Sequence, residues 1–169
     1  MDIQRQTTAC FSGYRPEKFI FALKESEKPY LALREHISRA IRQAAAGGYN
    51  TFMCGMAQGF DLMAGSLFLE LKEKRAEMAG LKLIAALPFK GHGFKGMWST
   101  VHEPVRSQAD EVVSLEGEFS RQAYQERNRY MVDHSSLLIC YYNGRKGGTA
   151  MTVKYAEERG LSIVNVAGL

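Results

Sequence analysis

Short runs of apolar and β-branched residues alternate along this chain with longer stretches in which apolar positions recur every three or four residues. The runs at 7–11, 50–54, 81–87, 111–115, 136–142 and 162–166 read as strands. Between them, Leu33, Ile37, Ala40, Ile41 and Ala44 mark one face of a first helix, which Gly47-Gly48 stops. Phe60, Met63, Ala64, Leu67 and Leu71 mark a second helix, and 98–109 reads as a third, interrupted at Pro104. In 120–134 the residues Ala123, Arg127, Tyr130 and Met131 share one face, and 150–159 is the last helical run. Strand and helix in regular alternation predict an α/β fold in three layers, with a mainly parallel sheet between helices. The usual order for such a sheet is 3-2-1-4-5-6, and ligands bind at its carboxyl edge.

Composition adds bounds. A chain of 169 residues fits one domain, taken as 1–169, and its 46% hydrophobic and 24% charged residues are ordinary for a soluble protein. No apolar run approaches the ~20 residues of a membrane span, and the first residues lack the apolar core of a signal peptide, so a cytoplasmic location and no membrane partner are expected. Cys10, Cys54 and Cys140 are odd in number and lie in or at the ends of strands, which suits buried thiols and no metal site. The net charge of +4 permits an anionic partner.

The candidate chemistry lies where strands run into glycine. After the first strand, Ser12, Gly13 and Arg15 form a turn that presents an arginine. After the second comes Gly55-Met-Ala-Gln-Gly-Phe-Asp61, with Gln58 and Gly59 before a helix and Asp61 in its first turn. Asp61 either favours the helix dipole or accepts hydrogen bonds from ribose hydroxyls. After the fifth, Asn143 opens a turn that reaches Gly147, Gly148 and Thr149 at a helix N-terminus, where orphan N–H groups hold anions. Thr149 either caps that helix or meets the ligand. Arg127 stands inside an apolar stripe with Asn128 beside it, and a buried guanidinium needs an acid or an anionic ligand. Residues 89–96, rich in glycine and aromatics, form either a flap or a plain surface loop. Neither glycine loop is a standard dinucleotide or P-loop fingerprint.

Taken in order, Ser12-Gly-Tyr-Arg-Pro16, the Gly55 to Asp61 loop, Arg127-Asn-Arg129 with Asp133, and Gly147-Gly-Thr149 resemble the SLOG superfamily, and within it the YpsA-like branch. The DprA and LOG proteins are similar at greater distance. The resemblance implies a Rossmann-like fold that binds a nucleotide or a derivative such as ADP-ribose. Two departures stand out: Met56 replaces a glycine of the DprA loop, and Ala150-Met-Thr-Val153 replaces the glutamates that LOG enzymes place after their phosphate loop. The leading expectation is a nucleotide-binding or sensing protein with no required cofactor. The alternatives are an N-glycosidic hydrolase, with Asp61 or Glu126 as its acid, and a single-stranded DNA binder; Tyr14, Phe89 and Phe94 would stack bases in that case, but they can equally stack on one base or pack in the core. A homo-oligomer is left open.

Overall fold

The computed structural model describes residues 2–115 and 117–168. Six strands, β1 (Thr8–Gly13), β2 (Thr51–Cys54), β3 (Lys82–Leu87), β4 (Glu111–Ser114), β5 (Leu137–Tyr141) and β6 (Ser162–Asn165), form one parallel sheet. The helices are α1 (Lys28–Ala46), α2 (Phe60–Lys74), α3 (Ser99–Gln108), α4 (Arg121–Asp133) and α5 (Gly148–Glu158).

Alternation along each strand divides the core into two. Ala9, Phe11, Phe52, Leu83 and Ile139 point to one face and pack with Ile37 of α1, Leu67 of α2 and Val105 of α3. Cys10, Met53, Ile84 and Leu138 point to the other and pack with Met131 of α4 and Val153 of α5. This is the three-layer α/β arrangement that the hydrophobic pattern predicts.

The strand order is β4-β3-β2-β1-β5-β6, which corrects the expected 3-2-1-4-5-6. A strand beside β1 needs apolar side chains on both faces, and β5 is buried at all five positions. Strand β4 begins with Glu111, ends with Ser114 and leaves Val112 42% exposed, so it suits only an edge. It therefore pairs with β3, through Ile84 opposite Glu111 and Leu87 opposite Ser114. Helix α3 also departs from expectation, because Pro104 lies inside it without ending it. That proline is exposed, so the carbonyl it leaves without a helical donor can face water.

Candidate functional site

Strand β1 pairs directly with both β2 and β5, so the loops after these three strands meet at one edge. The first turn is held by close packing. A methyl group at Gly13 would collide with the ring of Phe60, so the glycine lets the start of α2 close against β1. Tyr14 is fully buried; its hydroxyl donates to Oδ1 of Asn143 at 2.7 Å and accepts from the backbone N–H groups of Asn143 and Arg145, each at 3.1 Å. One phenol thus fixes the turn that leads to Gly147. Burial places Tyr14 in the core, the last of the roles open to it.

In the second loop Met56 holds φ at +60°, a left-handed conformation that favours glycine. The glycine-to-methionine departure is therefore a change of side chain at a position with glycine-like backbone geometry. Gly59, at φ +92°, precedes α2 and lies against the Tyr14 carbonyl, where a side chain would clash. Gly55 lies beneath a charged pair: a methyl there would stand 2.6 Å from Oδ2 of Asp61 and 2.9 Å from Cζ of Arg127.

Asp61 and Arg127 are both almost completely buried. Burial raises the Asp61 carboxyl to about 6, against the opposing pull of Arg127, the Ala57 and Gly13 backbone and Arg15. Burial also lowers the pKa of the Arg127 guanidinium, and Asp61 acts in the other direction. Arg127 donates through Nη1 to the Gly55 carbonyl and through Nε to Oδ1 of Asn128 at 2.9 Å. Asn128 donates to Thr152 Oγ1 at 3.0 Å, and Thr152 donates to the Gly148 carbonyl at 3.0 Å. A continuous hydrogen-bonded chain therefore runs from the second loop to the first turn of α5. Both readings of Arg127 meet here, because it has an internal acid and also lines the cleft.

The cleft between these loops holds about 330 Å³. Ser12, Gly13 and Arg15 line one side, Asp61, Arg127 and Asn128 the floor, and Gly147, Gly148 and Thr149 the other. Helix α5 starts at Gly148, so the first-turn N–H groups that helices leave unpaired lie at this wall. Four of the expected residues lie apart from the lining. Gly55 and Gly59 act beneath it through packing, and exposed Asn143 serves Tyr14. Gln58 is also outside the lining. Glu126 is exposed and accepts from Gln122 at 2.7 Å, so it does not serve as a cleft acid. Asp133 accepts from the Tyr155 hydroxyl and pairs with Arg159 at 2.9 Å, away from the cleft.

The sequence reading passed over Lys18, Arg121 and Tyr124, which also line the cleft. Lys18 Nζ donates to the Lys146 carbonyl at 2.8 Å and lies where a side chain at Gly147 would stand. Tyr124 lies between two arginines, with Arg15 at 5.1 Å and Arg127 at 5.6 Å from its ring centre. Its position three residues before Arg127 was the available signal, since such pairs share a helix face. A second hollow, about 280 Å³, lies between α4 and α5 and shares Gln125, Asn128, Gly148 and Met151 with the cleft.

Behind Tyr124, residues 89–94 bury His92 against Phe89, Phe94 and His102, with ring centres 5.0–5.3 Å apart. Neither ring nitrogen of His92 finds a partner among the described residues, and burial, then His102, Arg127 and Arg15, lowers its pKa to about 4. The three cysteines are buried free thiols, each pushed up to about 12 mainly by burial. Among the described residues no group of three or more His, Cys, Asp or Glu side chains could hold a metal ion, and no helix is long and apolar enough to cross a membrane.

Comparison with known proteins gives a consistent result. The profile of the YpsA family, described as the YspA SLOG family, matches residues 9–165. The SPbeta prophage-derived protein YoqJ of Bacillus subtilis (strain 168) is 32% identical over 124 residues, which cover 63% of this chain and 69% of YoqJ. In fold, the chain is similar to DNA processing protein A of Helicobacter pylori, solved for its single-stranded DNA binding mode, with a TM-score of 0.63 at 18% identity. It is also similar to DprA of Streptococcus pneumoniae, with a TM-score of 0.61 at 16% identity. These matches cover 92% of this chain but only 63% and 48% of the two DprA chains.

Proposed function

The chain belongs to the YpsA SLOG family, and from that premise we propose that its cleft binds a nucleotide or nucleotide derivative of the ADP-ribose kind. One observation carries this reading: a nearly fully buried arginine, Arg127, lines a cleft whose facing wall is the N-terminus of α5. Buried positive charge and unpaired helix N–H groups that converge on one cavity suit a phosphate. Arg15 and Lys18 add charge at the rim. Asp61, which lines the cleft with Arg127, supports a ribose contact in which its carboxyl group would accept hydrogen bonds from the hydroxyls.

Thermal melting and calorimetry with AMP, ADP and ADP-ribose test the reading. A ligand at about 100 times its Kd stabilises the folded state by roughly 2.7 kcal/mol. No shift in melting and no heat of binding across the panel would overturn it. The same samples, assayed for free adenine, are expected to show little hydrolysis. Ala150, Met151, Thr152 and Val153 supply no acid in the first turns of α5, and among the described residues Asp61 is the one buried acid of the cleft.

A single nucleic acid strand is the second reading. The hollow between α4 and α5 continues the cleft and is lined by Arg129 and Lys154, and the fold is shared with the DNA-binding H. pylori protein. A contact with several phosphates weakens steeply with added salt, with a slope of ~0.7 per phosphate for a single strand, whereas a lone nucleotide gives a shallow slope.

A further inference from the structure

Phe119 is an anomaly beside the cleft: it is 75% exposed, although large aromatic side chains usually bury most of their surface. Its place is set by α4. Ser120 caps that helix by accepting from the Ala123 N–H at 3.0 Å, so Phe119 is the residue before the cap and Tyr124 is the fourth helical residue. Apolar side chains at these two positions commonly pack as a staple that fixes how the chain enters the helix. The Phe119 and Tyr124 rings do meet, with centres 6.3 Å apart at 84°. A staple explains the contact but not the exposure, because its purpose is burial. Phe89 stands nearly perpendicular to both rings, 5.8 Å from Phe119 and 6.1 Å from Tyr124. Three rings thus meet edge to face, yet most of Phe119 stays in water. Tyr124 joins these rings to the charged floor, because Arg15 and Arg127 lie against its ring.

We propose that Phe119 is the base-stacking face of the ligand site, held by Phe89 and by Tyr124, the ring through which it adjoins the cleft lining. The proposal rests on the nucleotide reading above and adds where the base goes. It replaces Tyr14, which is buried, with a ring whose surface is open. Stacking on a flat aromatic face tolerates any base, so Phe119 would supply affinity rather than base identity.

Calorimetry with AMP and ribose 5-phosphate, which differ only by the base, tests this in the parent protein, Phe119→Ala and Phe119→Trp. Phe119→Ala should weaken AMP binding about 5- to 150-fold, the usual effect of removing one stacked aromatic. Its affinity for ribose 5-phosphate should not change, and that constancy also reports an intact α4. Phe119→Trp should retain AMP binding, with indole fluorescence altered by AMP and not by ribose 5-phosphate. Unchanged AMP affinity in Phe119→Ala would overturn the proposal, and so would an equal loss for both ligands, which would leave the ring a staple only. A parent protein that binds neither ligand would overturn this inference, and one that also fails to bind ADP and ADP-ribose would overturn the nucleotide reading itself.

Discussion

The absent side chain at residue 55 decides how close Asp61 and Arg127 can come to the end of β2. Gly55→Ala would place a methyl 2.6 Å from the Asp61 carboxylate, so one of the charged groups must move. Overpacking of this kind costs typically ~1–3 kcal/mol. We expect Gly55→Ala to lower stability by that amount in urea unfolding and to weaken nucleotide binding. The two arginines should separate by burial. Arg127→Ala strands a buried carboxylate and removes a desolvated ligand partner, so calorimetry should show a loss of ~2–5 kcal/mol in binding, with a fall in stability beside it. Arg15 is exposed, and Arg15→Ala should leave stability within about 0.5 kcal/mol while weakening binding less than Arg127→Ala does. Normal binding with lowered stability in Arg127→Ala would make the pair purely structural. Arg127 was legible in the sequence because a charge in an apolar stripe is conspicuous. Tyr124 was passed over, although its spacing of three residues from Arg127 already put both on one helix face. Gly55 read as part of a candidate ligand loop, and in the fold it gives the Asp61 and Arg127 side chains room beneath the cleft.

At the scale of elements, the segment after β3 shows what burial of a histidine implies. His92 has an ordinary pKa of 6.5 and is held near 4 in the fold. Between those values the unfolded chain holds more protons than the folded one, so this group makes stability fall as pH drops from 6.5 toward 4 and contributes no slope well above 6.5. Asp61 acts oppositely in an overlapping window: raised from 3.8 to about 6, it makes stability fall as pH rises between them. His92→Phe should isolate the first effect. Its Tm should fall less than that of the parent between pH 7 and pH 4.5, and an identical fall in both would mean that His92 is not buried as a neutral ring. The segment's glycines and aromatics allowed a flap or a loop, and nothing local showed that its histidine would turn inward. Element type was legible almost throughout, because strand runs and helical stripes differ in period. The position of β4 was not read correctly, although its polar ends, Glu111 and Ser114, already mark it as an edge.

For the whole molecule, the alternation of elements was sufficient to predict a parallel sheet, since parallel neighbours need crossovers and helices are the usual ones. The placing of β5 directly beside β1 was beyond that pattern, and it is what brings the turn at Asn143 and Arg145 to Tyr14. The chain from the Gly55 carbonyl through Arg127, Asn128 and Thr152 to Gly148 has a mechanical meaning as well as a chemical one. It passes over the rim of the sheet like a strap, fastening the loop that feeds α2 on one face to α4 and α5 on the other. Peeling α4 away would leave Asp61 without its countercharge at the start of the opposite layer. The two outer layers, which share no apolar core, are thereby given a common reason to stay in place.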